Sequence, residues 1–254
     1  FFLRLRIPLP PLPEQRRIVA RIEELQARIE TVEKGQTQLG AETITFHAKM
    51  LKDAFLPYAD RMTTIGDAFD VTTGSTPARG NQAYWGGQIK WVSSGEVRFT
   101  RITGTAETIT ELGVSQSNAK VYPANTVLLA MIGQGKTRGQ CAILDSPAAT
   151  NQNVAGIHVY RTAHAPEFVY WWLHARYQES RAVETGTAQP ALNAQKVREI
   201  PIPLPAPEEQ RKAVARLDAL QTKVDELKRL QAETQKELDA LMPSILGRAF
   251  AGNL

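Results

Sequence analysis

Two long segments of the chain carry apolar residues at alternating steps of four and three positions. This spacing is typical of an α-helix that packs along a heptad seam against another helix. The seam of the first segment consists of Ile18, Ile22, Leu25, Ile29, Val32, Gln36, Leu39, Thr43, Phe46 and Met50, and that of the second consists of Ala213, Leu217, Leu220, Val224, Leu227, Gln231, Thr234, Leu238, Leu241 and Ile245. The pattern predicts two helices of about 40 residues, each with a polar glutamine at the same point of its seam.

Both predicted helices begin with nearly the same sequence. Residues 7–25 read IPLPPLPEQRRIVARIEEL, and residues 202–220 read IPLPAPEEQRKAVARLDAL without a gap. The match continues weakly to MLKDAF and ILGRAF near the helix ends, so the repeated unit is about 50 residues long. Proline is favoured in a first helical turn, and the helix dipole stabilises an acidic residue there. We therefore expect each helix to begin just after its prolines, with Glu14 or Glu209 in the first turn.

The repeat encloses a central segment of different character. Short β-rich runs alternate with Gly, Ser, Thr and Asn, as in IKWVSSGEV, NTVLLAMIGQGKTRGQCAIL and TNQNVAGIHVY, which indicates strands joined by turns. The fold predicted is of the α/β (α+β) class, with one globular domain on a mixed or antiparallel β-sheet, flanked by the two long helices.

The arrangement of the helices follows from where the central segment begins and ends. If its two ends lie close together, the helices pair as an antiparallel coiled coil, and the chain has the shape of a lollipop with Phe1 and Leu254 near the far end of its stalk. The alternative is that each heptad stripe packs on the central domain as an ordinary amphipathic helix.

The sequence GQGKTRG at 133–139 is similar to part of a phosphate-binding P-loop. A full Walker sequence needs a glycine at position 130, which is Ala130, and a helix after the threonine. The following RGQCAIL favours a strand instead, so we predict a tight β-hairpin that presents Lys136, Thr137 and Arg138.

The segment PEFVYWWLHARYQESRAVETG predicts a helix with an aromatic face. Large aromatic side chains are usually buried, so we expect this face in the core rather than as a platform for stacking bases. The face is formed by Phe168, Tyr170, Trp171 and Trp172.

The composition leaves few kinds of chemistry open. The 254 residues include one cysteine, Cys141, and four histidines without metal-ligand spacing, so neither a disulfide nor a zinc site is expected. No catalytic triad and no glycine-rich cofactor motif can be nominated. No stretch is long and apolar enough for a membrane span, which favours a cytoplasmic protein. The net charge of +4 favours an anionic partner such as nucleic acid without deciding for it.

Polar residues in predicted loops are the candidates for contact with DNA. Asn and Gln can pair bidentately with adenine, and Lys and Arg contact phosphates. Taken singly, such residues also cap turns or are solvated, but together with Arg101 they indicate a recognition surface. The candidate residues are Arg79, Lys90, Ser94, Arg98, Lys136, Arg138, Asn151, Gln152, Gln189 and Asn193.

A proline-rich PLPxPxEQ before a heptad helix, the ending ILGRAFAGNL and the central landmarks GSTP, YWGG, IKWVSSGEV and TNQN occur together. This combination resembles the specificity subunit of type I restriction-modification systems, over essentially the whole chain. The resemblance implies a target recognition domain for one half of a split DNA sequence, and helices that set the spacing of two such domains and dock the modification (methyltransferase) subunits. The implied domains are a proline-rich elbow at 1–12 that is the tail of a preceding recognition domain, a first coiled-coil helix at 13–57, the target recognition domain at 58–201, and a second elbow with its helix at 202–254.

The resemblance also implies that the chain is not an enzyme and binds no cofactor itself, because S-adenosylmethionine is expected in the partner modification subunit. The expected partners are double-stranded DNA and modification subunits. A restriction (translocase or nuclease) subunit and a second specificity chain, including a second copy, are further partners that it allows, whereas a membrane is not expected. The usual order in the family has two recognition domains, and this chain has one. Two other functions stay open: a coiled-coil scaffold whose central domain binds protein, and a nucleotide-binding enzyme that uses the GQGKT hairpin.

Overall fold

The computed structural model describes residues 9–133, 136–182 and 192–253. Within these residues the helices are α1 (Leu12–Asp53), α2 (Ile65–Ala68), α3 (Glu111–Ser115), α4 (Pro166–Ala182), α5 (Ala194–Arg198) and α6 (Pro207–Phe250). The strands are β1 (Met62–Thr64), β2 (Val71–Thr73), β3 (Trp85–Val92), β4 (Thr100–Ile102), β5 (Glu107–Ile109), β6 (Val127–Ala130), β7 (Cys141–Leu144), β8 (Ala148–Thr150), β9 (Val154–Ile157) and β10 (Pro201–Pro203). The chain divides into a helical unit, formed by residues up to His47 and from Leu220 onward, and a central unit, Ala48–Ala219.

In the helical unit, α1 and α6 pack against each other. Ile29 and Leu238 are buried and line one groove. Farther along α1, Thr43 Oγ1 accepts a hydrogen bond of 3.5 Å from Gln231 Nε2. The residue numbers on α6 fall as those on α1 rise, so the two helices run in opposite directions. The predicted antiparallel pairing is confirmed.

The seam of α1 differs from the predicted one in its second half. Five residues that the heptad pattern assigns to the seam are exposed: Val32, Leu39, Phe46 and Met50 in α1, and Leu241 in α6. Gly40 and His47, each one position farther along than Leu39 and Phe46, are half-buried. A straight helix of 3.6 residues per turn rotates each seven-residue step by about 20° from the contact line, so after several heptads the next residue takes the contact position. The predicted seam is therefore wrong at Leu39, Phe46 and Met50, whereas Val32 and Leu241, although exposed, line the groove between the two helices.

The central unit is built on small sheets. The largest in the described part of the chain has the strand order β2-β9-β6-β7-β4, in which β4 and β7 are parallel and the other pairs are antiparallel. A second sheet has the order β5-β3-β8, and β1 pairs with β10. Every residue of β6, β7 and β9 is buried, which explains their continuous apolar runs. The predicted class, with a mixed or antiparallel sheet, is confirmed.

The helix α4 packs on β6 and β7 with its aromatic face. Phe168 and Trp171 are buried, and the half-buried Tyr170 and Trp172 pack against the same core. The prediction that this face belongs to the core is confirmed.

The helix α4 also holds the end of α1 and the start of α6. The apolar cluster at this point consists of Leu51, Phe55, Phe168, Trp171, Ala213 and Leu217. Trp171 Nε1 donates to Asp218 Oδ1 at 2.9 Å. Gln210 is fully buried, accepts a hydrogen bond from Ala165 N at 2.9 Å, and donates from Nε2 to Pro205 O at 2.9 Å. Apolar burial and hydrogen bonds thus act together where α4 meets the end of α1 and the start of α6.

Candidate nucleic-acid interface

Four loops meet at one end of the five-stranded sheet. Since β2 and β9 are antiparallel, the loop after β2 and the loop before β9 leave from the same end. The strand β6 is also antiparallel to β9, which brings the loop after β6 to this end. The segment after β3 joins them, because Asn151 N donates to Val92 O at 3.0 Å. We refer to these residues as the loop cluster: 74–79, 93–98, 131–133, 136–140 and 151–153.

Backbone contacts hold the loop cluster together. Ser75 N donates to Thr150 O at 2.9 Å, and Met131 N donates to Asn153 O at 2.8 Å. A Cβ at Gly74 would lie 2.1 Å from Thr150 O, a distance that no side chain can accept. Glycine at this position therefore lets the two backbones approach closely.

The Arg79 side chain is held between two tryptophans and a carboxylate. Its guanidinium carbon lies 3.9 Å from the ring centre of Trp85 and 4.9 Å from that of Trp91. Both terminal nitrogens donate to the carboxylate of Glu107, which lowers the pKa of Glu107 and raises the pKa of Arg79. An exposed ion pair adds little stability, but this one fixes a planar fork of donors in one orientation.

The TNQN segment contributes one exposed and one buried amide. Gln152 is exposed, and its Oε1 accepts a hydrogen bond of 2.5 Å from the Thr76 hydroxyl. Asn151 is only 9% exposed, and its Oδ1 accepts a hydrogen bond of 3.0 Å from Asn153 N. The Asn151 side chain therefore shapes the turn from inside, and its burial does not support the expected contact with DNA. Gln152 remains accessible to a ligand.

The hairpin of β6 and β7 carries the two basic residues expected at its tip. Lys136 is exposed and Arg138 is half-buried. The Tyr177 hydroxyl donates to Lys136 O at 2.6 Å, and Gly139 N donates to Ala130 O at 2.8 Å. The strand β7 follows the threonine of GKT, where a P-loop has a helix. The predicted β-hairpin is confirmed, but the connection at 131–140 is longer than a tight turn.

The segment after β3 is closed by its own hydrogen bonds. The Glu96 carboxylate accepts from the backbone N and from the hydroxyl of Ser93, each at 2.8 Å. Ser94 lies half-buried in this turn, and Arg98 is exposed with its Nε donating to Gly95 O. The turn thus presents a guanidinium at the edge of the loop cluster.

The loop cluster offers cations, hydroxyls and an accessible amide. Such groups contact the phosphates and base edges of nucleic acid. Among the described residues, no three His, Cys, Asp or Glu side chains are grouped to hold a metal, and no helix is long and apolar enough to cross a membrane. Burial raises the pKa of the Cys141 thiol well above its usual value, so this cysteine is not a thiolate nucleophile at neutral pH.

A sequence model described as the type I restriction modification DNA specificity domain matches residues 61–236. The match includes the whole loop cluster and more than half of the chain. The chain belongs to this family. The resemblance predicted from the elbow repeat and the central landmarks is confirmed.

Named and solved proteins of the same kind are similar to the chain. The specificity subunit of the type I restriction enzyme MjaIX from Methanocaldococcus jannaschii is 29% identical over 153 residues, which are 58% of this chain and 34% of that protein. A chain from a structure on complex assembly and conformational transition of the type I R-M system is 29% identical, with a TM-score of 0.80 over 98% of this chain and 62% of that one. The HsdS subunit from Thermoanaerobacter tengcongensis is 28% identical, with a TM-score of 0.64 over 98% of this chain and 61% of that one. The chain thus spans between 34% and 62% of the length of these relatives.

Not every candidate residue of this DNA specificity domain lies in the loop cluster. Lys90 Nζ donates to Ser146 Oγ at 2.6 Å, and Ser146 follows β7 at the opposite end of the sheet. Asn193 caps α5 through its Oδ1. Arg101 forms ion pairs with two carboxylates. Gln189 lies outside the described residues. The structure therefore does not bring Lys90 or Asn193 into the loop cluster. The candidates that it does bring together there are Arg79, Ser94, Arg98, Lys136, Arg138, Asn151 and Gln152.

The groups that orient Arg79 were not among the predicted site residues. Trp85 and Trp91 both lie on β3, and their even spacing is a signal for one common face of a strand. Glu107 lies on β5, and its meeting with Arg79 depends on the pairing of β3 with β5. No local pattern in the sequence predicts that β3 pairs with β5.

Proposed function

We propose that the chain recognises one half of a bipartite DNA sequence through its loop cluster, as part of a type I restriction-modification specificity subunit. The observation that carries the proposal is the convergence of Arg79, Arg98, Lys136 and Gln152, from four separate segments, at one end of one sheet. Membership in a DNA specificity family supports it, as do relatives named as specificity subunits of type I restriction enzymes.

The contacts of these side chains suggest a division of roles. Lys136 and Arg98 are exposed and form no ion pair with described residues, so they suit phosphate contacts. The Arg79 fork is already held in the bidentate geometry that matches O6 and N7 of guanine, and a base edge would replace Glu107. The Oε1 of Gln152 is occupied by Thr76, so Gln152 offers its Nε2 donor to an acceptor on a base.

Selection of duplexes from a random library tests the proposal. The purified chain should enrich a short motif, and its affinity for that duplex and for a scrambled one is then measured by fluorescence anisotropy. Lys136→Ala should weaken binding to both duplexes and lower the salt slope by about one, as loss of a phosphate contact does. Gln152→Ala should cost about 1–3 kcal/mol on the enriched duplex alone.

Lys34→Ala is the matched control, because it removes one exposed charge from α1. Absence of an enriched motif would favour the alternative of a scaffold whose central domain binds protein. The other alternative, an enzyme with a P-loop, is disfavoured by the strand that follows the GKT sequence.

The exposed apolar residues of the helical unit support docking of a modification subunit. Leu39 and Phe46 lie seven residues apart on α1 and are both exposed. Apolar residues that recur along one exposed face mark an interaction surface. The modification subunit would hold S-adenosylmethionine and transfer the methyl group, and a restriction subunit would join the same assembly. The chain alone would then have no methyltransferase, nuclease or ATPase activity, and its place of action would be the cytoplasm.

Co-purification with a modification subunit tests this docking. Phe46→Asp places a charge in the proposed contact and should abolish co-purification. Thr37→Asp places the same charge on another exposed position of α1 and should leave it intact. Equal recovery of the partner with both variants would contradict docking on this face.

The internal repeat supports docking of a second recognition domain at the start of α1. Adding 195 to a residue number of the first copy gives its equivalent in the second. The apolar cluster that holds α4 uses the end of α1 and the start of α6. The equivalent residues, at the start of α1 and the end of α6, line an open groove of about 720 Å³. These residues are Ile18, Ile22, Leu246 and Phe250.

The polar contacts of this groove follow the same equivalence. Gln15 Nε2 donates to Pro10 O at 2.7 Å, as Gln210 Nε2 does to Pro205 O. The Oε1 of Gln210 accepts from the chain just before α4, and the Oε1 of Gln15 accepts no hydrogen bond within the described chain. Phe250 is 70% exposed in the groove. We therefore propose that a helix like α4, from a second recognition domain in the same polypeptide or in another chain, covers this groove.

A chain with a duplicated domain tests this docking. A second copy of residues 58–201 is joined to Ile7, which is equivalent to Ile202. The added domain should slow hydrogen exchange at the start of α1. Phe250→Asp should remove that protection, whereas Ile44→Asp, an exposed apolar residue elsewhere on α1, should keep it. The same protection in both variants would show that the groove is not the docking surface.

A further inference from the structure

A polar pocket of about 440 Å³ lies at the end of the five-stranded sheet opposite the loop cluster. Asp70 precedes β2 and His158 follows β9, whereas the loop cluster adjoins the other ends of these two strands. Lys120, in the loop before Tyr122, and Arg198, at the end of α5, complete the wall. The proposed DNA contacts use none of these residues.

The lining of the pocket carries excess positive charge. Its charged side chains are Lys120, Arg161, Arg198 and Asp70, so three cations face one carboxylate and the net charge is +2. Asp70 is paired with Arg161 at 2.7 Å. Lys120 is exposed and forms no ion pair or hydrogen bond with the described residues. Two cations are thus left without a carboxylate in the pocket.

Hydroxyl groups and a buried histidine form the floor. His158 is only 5% exposed; its Nε2 lies 2.8 Å from Thr72 Oγ1, and its Nδ1 lies 3.1 Å from the Tyr160 hydroxyl. The Thr72 hydroxyl donates to the Tyr122 hydroxyl at 3.2 Å. Burial, together with Arg161 and Lys120, lowers the pKa of His158 and thus favours the neutral ring. These side chains hold each other in place and present polar atoms to a ligand.

Gly66 allows Arg198 to lie at the wall of the pocket. A Cβ at Gly66 would lie 2.6 Å from Cβ of Arg198, so the two elements α2 and α5 approach only because residue 66 has no side chain. One terminal nitrogen of Arg198 donates to Val71 O at 2.7 Å. Since a guanidinium has five donors, the remaining donors can bind an anion with the side chain already ordered.

We infer that this pocket binds a phosphate group, from either a small phosphorylated molecule such as a mononucleotide or the backbone of DNA. Two uncompensated cations and a floor of hydroxyls are the donors that phosphate oxygens require. The volume admits a phosphate with a small attached group. Only the DNA source rests on the proposed function.

Titration calorimetry with the full chain at low salt tests the site, with inorganic phosphate and AMP as probes. Lys120→Ala should weaken binding of both by about tenfold, as expected for loss of one charged contact. Lys120→Glu should abolish it, and Lys34→Ala should leave it unchanged. Tryptophan fluorescence checks that the variants are folded, since Lys120 is exposed and without a described partner.

Duplex binding distinguishes the two sources. If the phosphate belongs to DNA, AMP competes with the duplex, and Lys120→Ala weakens binding of every sequence equally. If it belongs to a small molecule, AMP and duplex bind together, and Lys120→Ala leaves duplex binding intact. No binding of phosphate or AMP up to about 10 mM, with the same duplex affinity for Lys120→Ala and Lys34→Ala, would overturn the inference. A motif enriched through the loop cluster would still stand in that case.

Discussion

Replacing Gly74 by alanine should both destabilise the central unit and disturb the loop cluster. The new methyl carbon would lie 2.1 Å from Thr150 O and 2.2 Å from Thr150 Oγ1. An ordinary carbon–oxygen contact is about 3.3 Å, so the two loops must separate by about 1 Å. The separation strains the hydrogen bonds from Gly74 N to Val154 O and from Ser75 N to Thr150 O. Loss of two such bonds and the overpacking together cost about 2–6 kcal/mol.

Urea unfolding followed by tryptophan fluorescence measures this cost, because Trp85, Trp91, Trp171 and Trp172 all belong to the central unit. Gly80→Ala is the control in the same region, since its Cβ would meet no atom within 4 Å. Gly74→Ala should also lose its preference for the enriched duplex. A free energy of unfolding within about 0.5 kcal/mol of that of Gly80→Ala would refute the reasoning.

Three further changes test other parts of the structure. Glu107→Gln should strengthen binding to scrambled duplex, because Arg79 loses the carboxylate that offsets its charge; unchanged anisotropy at low salt would contradict this. Trp171→Phe should cost about 1–3 kcal/mol in urea unfolding, because the hydrogen bond to Asp218 and part of the packing are lost, and a wild-type midpoint would speak against that role of α4. Burial lowers the pKa of His47, His158 and His164. The unfolded chain therefore binds more protons than the folded chain, so the free energy of unfolding should fall as the pH drops below about 6.5. A free energy of unfolding that increases as the pH drops below this value would contradict the burial of these rings.

The elements with local signals could be predicted from the sequence. The proline elbows mark the starts of α1 and α6, and the alternating and continuous apolar runs give β6, β7 and their hairpin. The seam was predicted less well, because a strict seven-residue pattern ignores the rotation of a straight helix. Phe46 is exposed and His47 takes its place, a difference of one residue that composition does not reveal.

The candidate site depends on contacts between distant segments. Asn151 and Gln152 are neighbours with the same chemistry, yet Asn151 is buried and accepts a hydrogen bond from Asn153 N, whereas Gln152 is exposed. Lys90 was predicted to be a cation in a loop, but it lies in β3 and its Nζ donates a hydrogen bond to Ser146 Oγ. The pocket around His158 brings together four separate segments and has no motif of its own.

The most direct test of the central claim compares the DNA motifs selected by matched variants. Wild-type chain, Gln152→Ala and Lys34→Ala are each taken through selection from the same random library. We expect one motif for the wild type and for Lys34→Ala, and the same motif with one relaxed base position for Gln152→Ala. Identical motifs for all three variants, or no motif for the wild type, would show that the loop cluster does not determine the sequence that the chain recognises.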